Sequence, residues 1–573
     1  MTRTSPGRPA ADGAITPTAG RLLRRAVTGQ RRALLGAVAL LAGWQAAEAL
    51  VPVLVGVVID EAVATGDVSA LARWLAALAG LFLALTLGFR FGARLGARAA
   101  EHAGLDLRLR VTRRILDPRG GTERGRLPGE LLSIASADVS RVAGVNEAVG
   151  AVVIAASGMT VAAVVLLNAS VQLGLVVLVG LPPVLALLNL LTGPLDRRST
   201  AEQEQAANAT AVAGDLIGGL RVLKGLRAER AAATRYREAS RASLAARLRA
   251  TSLLAAHSGA TLAVTSAFLA VVALVGGRLA AQGQISIGEL IAAVGLTQYL
   301  IGPLSAIGHA TAAFARCRAA ARRAATLLST PPAVTGGPGR LTGRAPGALR
   351  LAGLTYGPLL GVDLEITPGE LLGVVAPEPA VTAALLDCLA REVDPEAGKI
   401  ELDGVVLGGL DLDDVRQVLL VAAHDTDLFE DTVAANVSGT AADPGRVPDA
   451  LTAAAADEVV AALPEGAAVT EHARSLSGGQ RQRVALARAL ATDAPVLVLH
   501  DPTTAVDGAT ESRIAGRLAA FRGGQTTVLV TTSPALLAVT HRVVMLVDGT
   551  LVAHGTHSKL LATSQAYRDA VLS

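Results

Sequence analysis

Leu476-Ser-Gly-Gly-Gln-Arg-Gln-Arg-Val-Ala-Leu-Ala-Arg-Ala-Leu490 decides how this chain is read. A serine and two glycines open a segment with helical periodicity. Val484, Leu486, Ala487 and Leu490 fall on one apolar stripe, while Arg481, Arg483 and Arg488 stay in water or cover apolar surface with their stems. The backbone N–H groups of Gly478, Gly479 and Gln480, the Ser477 hydroxyl and the positive end of the helix dipole then converge on one place, where a phosphate fits. A bare Ser-Gly-Gly is most often a glycine-rich loop before a core helix; the full string is far more specific.

Outward from this stretch, composition sets the bounds. At 573 residues the chain is too long for one core and holds at least two domains. It is 51% hydrophobic and 17% charged, a membrane-protein balance. A net charge of +4 is small for this length, and with 2% aromatic residues there is no stacking platform for bases, so nucleic acid is not expected as a partner. Cys317 and Cys388 are the only cysteines and lie in different regions, which excludes a disulfide framework and a cysteine metal cluster.

Met1–Gly29 is polar and lacks the apolar core of a cleavable signal. Apolar runs follow at Leu34–Ile59, Leu71–Phe91, Val149–Leu167, Val171–Leu191, Leu253–Val275 and Ile287–Ile307, six candidate spans by hydropathy. Gly92–Arg141 and Asp196–Arg249 are long and arginine-rich, so the positive-inside rule places them, and both termini, in the cytoplasm. They read as extended helices, with turn residues only around Asp117–Gly129. Glu48 lies near the middle of the first span, one turn from Gln45; facing lipid there an ionised carboxylate costs on the order of 3 kcal/mol, so it is expected to face the bundle or a bonded neighbour. Pro331–Gly347 is rich in Pro and Gly and marks a boundary. After it, strand-like runs at Leu371–Val375, Val496–Leu499, Thr527–Val530 and Val543–Val547 alternate with helical ones, the pattern of an α/β domain.

The Leu476–Leu490 string resembles the signature motif of the ATP-binding cassette (ABC) family. Leu127-Pro-Gly-Glu-Leu-Leu-Ser133 with Asp138-Val-Ser-Arg141, and Gly219-Leu-Arg-Val-Leu-Lys224, are similar to the coupling helices of ABC exporter membrane domains. Ile287-Gly-Glu-Leu290 and Gly302-Pro-Leu304 suit that family's last span. The resemblance covers about Arg24–Ser573. It implies an all-α transmembrane domain of six long helices followed by an α/β P-loop-type nucleotide-binding domain, divided as a tail at 1–30, a membrane domain at 31–325, a linker at 326–347 and a nucleotide-binding domain at 348–573. It implies a multi-pass protein of the cytoplasmic membrane.

Against the family pattern, the phosphate loop after Leu371–Val375 should read G-x-x-x-x-G-K-[ST]. It reads Ala376-Pro-Glu-Pro-Ala-Val-Thr-Ala383. Pro379 and Val381 occupy glycine positions, Thr382 the lysine, and Ala383 the hydroxyl that would hold Mg²⁺. Proline has no N–H to donate, valine resists positive φ, and the charge that neutralises the β/γ-phosphates is gone. After Val496-Leu-Val-Leu499, His500 stands for the Walker B aspartate and Asp501 for the catalytic glutamate, one methylene shorter. His424 occupies the Q-loop glutamine position, and Thr532 or Ser533 the switch histidine.

Kept are Ser477, Gly478, Gly479 and Gln480, Glu471 before them, and the D-loop aspartate Asp507. Tyr356 matches the aromatic that stacks on adenine, with a core tyrosine as its plain alternative. In this family two nucleotide-binding domains pair head to tail, each ATP lying between one chain's phosphate loop and the other's signature. The expectation is therefore a subunit of an ATP-driven exporter of a small molecule, drug or lipid, acting with a second ABC half-transporter that has intact Walker motifs. ATP and Mg²⁺ would bind at the composite site, the chain's own site being weak or empty. A non-transporting membrane scaffold and a siderophore-type importer are the alternatives on the same fold.

Overall fold

In a computed structural model the described residues are 17–190, 193–341, 345–424, 427–439, 441–464, 468–469 and 476–572. They divide into two compact units. One takes the residues up to Thr112 and Gly129–Ser329; the other takes Arg113–Pro128 and Thr330 onward.

The first unit is helical: α1 (Ala19–Thr28), α2 (Arg31–Val58), α3 (Val68–Ile115), α4 (Val145–Ala169), α5 (Val171–Leu190), α6 (Gly193–Gly218), α7 (Glu229–Ala281) and α8 (Ile287–Ser329), with shorter turns between them. Long Ala-, Leu- and Val-rich runs underlie helices of 48, 53 and 43 residues at α3, α7 and α8, the last of which continues through Pro303. Among the described residues four stretches are long and apolar enough to cross a membrane: Val68–Ile115, Pro128–Ala169, Glu229–Ala281 and Ile287–Ser329. The other two runs, expected at 34–59 and 171–191, lie on α2 and, as far as Leu190, on α5. Leu191 falls outside the described residues.

Helices α2 and α8 approach closely because glycine faces glycine: a Cβ on Gly56 would sit 2.4 Å from the Gly288 carbonyl oxygen. Further along the same pair, Gln45 Nε2 donates to Tyr299 Oη at 2.7 Å and to Glu48 Oε2 at 2.8 Å, while Tyr299 donates back to the Gln45 carbonyl at 2.8 Å. Glu48 is half-buried and bonded through Gln45 to α8. The direct partner of Glu48 is thus on its own helix, and Gln45 makes the link to α8.

The arginine-rich loops are helical as expected. Pro128–Ser133 and Leu220–Gly225 are short helices that expose apolar side chains, Leu132 at 69% and Val222 at 63%. Behind the first of them, buried Asp138 takes two hydrogen bonds from Arg323, at 2.7 and 2.6 Å, and one from Arg141 at 2.9 Å. The pairing ties the end of α8 to this loop.

The second unit is α/β, as the strand-like runs require. An antiparallel sheet has the order β2-β1-β4-β5, from β1 (Leu349–Tyr356), β2 (Leu359–Ile366), β4 (Ala397–Leu402) and β5 (Val405–Val406). The main sheet has the order β10-β9-β3-β8-β7-β6, from β3 (Leu371–Val375), β6 (Leu419–Ala422), β7 (Val496–His500), β8 (Thr526–Val530), β9 (Arg542–Val547) and β10 (Thr550–Gly555). All its neighbours are parallel except β10 with β9. Buried on both faces, β3, β7 and β8 read as near-continuous Val and Leu runs. At their starting edge Arg542 Nε holds Glu370 Oε1 at 2.9 Å. Burial alone would raise the Glu370 pKa, but the Arg542 guanidinium and the Thr367 amide and hydroxyl outweigh it and hold the carboxyl below its ordinary value. The loop Arg113–Pro128 packs with this unit: Arg114 donates to the carbonyls of Gly120 and Thr330, and Arg124 to that of Glu392.

Candidate functional site

A parallel sheet presents its ligand-binding loops at the carboxyl ends of its strands. That edge carries the turn after β3, the loop after β6 and the end of β7. The turn after β3 leads into α9 (Pro379–Leu389). Glu378 is its N-cap residue but makes no side-chain capping bond, and its Oε2 is buried without a hydrogen-bond partner. Pro379 follows at the first helical position, where its missing N–H is tolerated by the helix but offers nothing to an anion. Val381 and Thr382 are turned inward, 2% and 7% exposed, and the Thr382 hydroxyl donates to the Ala376 carbonyl at 3.2 Å. Ala383 is exposed and presents a methyl group.

At β7 the sheet register places Ala422 beside Leu499. Just beyond, His424, two residues after Ala422, meets His500, one residue after Leu499: their Nδ1 atoms lie 3.3 Å apart, and the rings meet edge to face at a centroid separation of 4.9 Å. His500 Nε2 is 3.6 Å from Asp501 Oδ2. Burial pulls the His500 pKa below its ordinary value; the Asp501 carboxylate opposes this only in part, and the imidazole favours its neutral form. Asp501 takes a left-handed backbone, φ +42°, and its N–H donates to the Val530 carbonyl at 3.0 Å. Ser533 caps a short helix, Pro534–Ala538, by accepting from the Leu536 N–H. The one histidine beside the start of β3, His541, accepts from the Leu371 N–H and is spent on the backbone.

The signature stretch is built differently. Ser477 is the N-cap of α10 (Gly478–Ala491): its Oγ accepts from the Gln480 N–H at 3.3 Å, and the Ser477 N–H donates to Gln480 Oε1 at 2.8 Å. This reciprocal capping box satisfies part of the helix end and leaves the Ser477 O–H proton and the N–H groups of Gly478 and Gly479 without a partner among the described residues. Val484, Leu486, Ala487 and Leu490 are buried as their spacing predicts. Two of the arginines expected at the surface are instead tied to neighbouring loops. Arg483 bonds the Ala455 carbonyl and Glu458, and Arg488 bonds the Asp427 carbonyl and lies over the Phe429 ring.

Gly479 is needed for a reason the sequence did not show. A Cβ there would sit 2.6 Å from the Ala505 carbonyl oxygen, so the signature and the D-loop segment are in backbone contact. Gln482 Oε1 fixes the same segment by accepting from the Ala505 N–H at 2.7 Å. Asp507 is the N-cap of α11 (Gly508–Phe521) and accepts from the Thr510 N–H at 3.0 Å, which lowers its pKa. Tyr356 ends β1, half-buried against the core around Leu354 and Leu359. Glu471 lies outside the described residues.

Neither the His424–His500 contact nor the Gln482–Ala505 clamp was read from the sequence. The parallel register of β6 with β7 sets the position of Ala423 beside His500, so it signals only that the neighbouring His424 is close, and nothing local signals the second.

Residues 34–304 match the family described as ABC transporter transmembrane region, and residues 359–504 the family described as ABC transporter. The chain is 34% identical over 415 residues to an ATP-dependent lipid A-core flippase of Cupriavidus pinatubonensis, covering 69% of each. It is 28% identical over 554 residues to the protein of that name in Burkholderia pseudomallei, covering 93% of this chain and 92% of the relative. Its fold superposes on the structure of a bacterial Atm1-family ABC exporter with ATP bound at a TM-score of 0.74 and 21% identity, covering 94% and 97%. A helical membrane region followed by an α/β nucleotide-binding domain, with these relatives, makes this chain a member of the ABC transporter family, an exporter-type half-transporter.

Proposed function

We propose that this chain is the degenerate half of a heterodimeric ABC exporter, supplying Ser477–Gln480 to the ATP site of an unlike partner that has intact Walker motifs. The observation that carries this is the contrast within one unit: a capped signature with unpaired donors, beside a phosphate loop whose polar groups are turned inward or missing. The residues after β3 do not fit a nucleotide triphosphate with Mg²⁺. Pro379 removes an N–H and Thr382 spends its hydroxyl on Ala376. Ala383 offers no oxygen to the metal, and the buried Glu378 oxygen adds like charge where phosphate would lie.

At the partner's site this chain's part is positional and electrostatic. Ser477 Oγ already accepts from the Gln480 N–H, so its proton is free to be given to a phosphate oxygen carried on the partner's loop. The N–H groups of Gly478 and Gly479 and the end of the α10 dipole add donors held in place before the reaction, which is where such donors act most strongly. Gln482, accepting from the Ala505 N–H, holds the D-loop segment against the signature, and Asp507 caps the helix that follows it.

For the cargo, the flippase relatives favour an amphipathic lipid moved across the cytoplasmic membrane, with the termini and the nucleotide-binding domain on the cytoplasmic side. Within the bundle, Glu48 and Gln45 supply a polar position that suits a headgroup. The test is purification from the native membrane with identification of the accompanying chain, followed by ATPase and lipid flux of the reconstituted pair. A pure homodimer that transports would refute the unlike partner.

A further inference from the structure

We infer that His424 and His500 form a binding site for a late first-row divalent transition ion of the zinc class, in the place where the family carries oxygen ligands for Mg²⁺. Two imidazole nitrogens bound to one tetrahedral ion at about 2.0–2.1 Å are separated by about 3.3–3.4 Å, the edge of the coordination tetrahedron. The two Nδ1 atoms lie 3.3 Å apart. The parallel register of β6 and β7 runs Leu419 with Val496 through Ala422 with Leu499; His500 ends β7, and the chain leaving β6 brings His424, two residues past Ala422, against it.

The surroundings suit a metal rather than a charged pair. Ligation through Nδ1 requires the proton on Nε2; for His500 that atom lies toward Asp501 Oδ2, 3.6 Å away and beyond hydrogen-bond distance. His424 is exposed, which leaves an entry path and open positions for water. Among the described residues no group of three or more His, Cys, Asp or Glu side chains converges to hold a metal, so the protein supplies two ligands. Nitrogen donors select Cu²⁺, Ni²⁺ and Zn²⁺ over Mg²⁺. Bound there, the ion pins the loop after β6 to the end of β7. The inference stands on this geometry and does not depend on the identity of the partner chain.

The experiment is calorimetric titration of Zn²⁺ and Ni²⁺ into the full-length, chelator-stripped chain in detergent, with Co²⁺ absorption as a second reading of nitrogen ligation. The expected result is one ion per chain with a dissociation constant on the order of micromolar, unaffected by millimolar Mg²⁺. His424→Ala and His500→Asn should each weaken it at least about tenfold, with Asp501→Asn, a positioning change, costing a few-fold. Unfolding midpoints in chelator report whether the variants fold; should His500→Asn fail to do so, the exposed His424→Ala decides alone. Absence of stoichiometric binding, or wild-type binding in His424→Ala, overturns the proposal and leaves the pair as an imidazole–imidazole hydrogen bond.

Discussion

The two halves of the nucleotide-binding unit that face ligands have diverged in opposite directions. At the signature Ser477 and Gln480 satisfy each other, and the hydroxyl proton and glycine N–H groups stay available. At the phosphate loop the polar groups are consumed or stranded: Thr382 bonds Ala376, Glu378 Oε2 has no partner, and His500 has turned to His424. Yet the scaffold under both is the same sheet, with β3 buried throughout and β7 buried up to His500. The difference teaches that one sheet can carry, at its loops, a capped helix end with unpaired donors and a turn whose polar groups are directed inward, so the fold does not by itself fix the chemistry at its edge.

The strongest way to break the comparison is to damage the end that is intact. Ser477→Ala in a reconstituted pair should lower ATPase activity by about 100-fold or more, the range for loss of a positioned donor in a closed site. A steady-state assay at saturating ATP checks this. Gly479→Asp should be at least as severe, but it is a blunter tool, because any Cβ there meets the Ala505 carbonyl before a phosphate is involved. Gly479→Ala therefore separates the two causes. It should disturb the D-loop segment and cost stability of about 1–3 kcal/mol, visible as a lower unfolding midpoint of the chain without nucleotide.

A change at the starting edge of the sheet should affect folding and leave the loops alone. Glu370→Gln removes a carboxylate whose folded pKa lies below its ordinary value of 4.5. The stability this group contributes is fully present above the unfolded value and is lost as pH falls through the lower folded one. The variant should therefore be less stable at neutral pH, by about 1–2 kcal/mol after allowing for the partly exposed Arg542, with the gap closing on acidification below pH 4. Unfolding midpoints of variant and parent across that range measure it.

The smallest effect is expected at the decayed loop. Thr382→Ala should change ATPase activity of the pair less than about twofold, since no phosphate cradle is left to lose. Thr382→Lys should not create a second working site while Pro379, Val381, Ala383 and His500 remain. Single-turnover measurements on the pair would detect such a site.

Much of this was legible in the chain itself. The buried parallel strands β3, β7, β8 and β9 announce themselves as short Val and Leu runs, because strands covered on both faces tolerate little else. The signature helix is equally plain, since its capping residues and apolar stripe are local. The sheet of β1, β2, β4 and β5 was not read, because its alternation is broken by irregular register around Leu351–Tyr356 and Thr355, where propensity gives no guide. The packing of Arg113–Pro128 with the second unit was invisible too, resting on arginine side chains reaching carbonyls more than 200 positions away, such as Arg114 to Thr330. At the site, the identities of Pro379, Thr382 and His500 were enough to expect missing chemistry. Where Thr382 sends its hydroxyl, and that His500 meets His424, are facts of tertiary register.

The central claim is that this chain's own phosphate loop cannot support hydrolysis. It is tested most directly by the ATP turnover of the chain purified alone, homogeneous and free of contaminating ATPases, in lipid nanodiscs with Mg²⁺. The account predicts turnover indistinguishable from that of a preparation carrying Ser477→Ala. Robust turnover abolished by Ser477→Ala would contradict it, showing that two copies of this chain complete a working site between them.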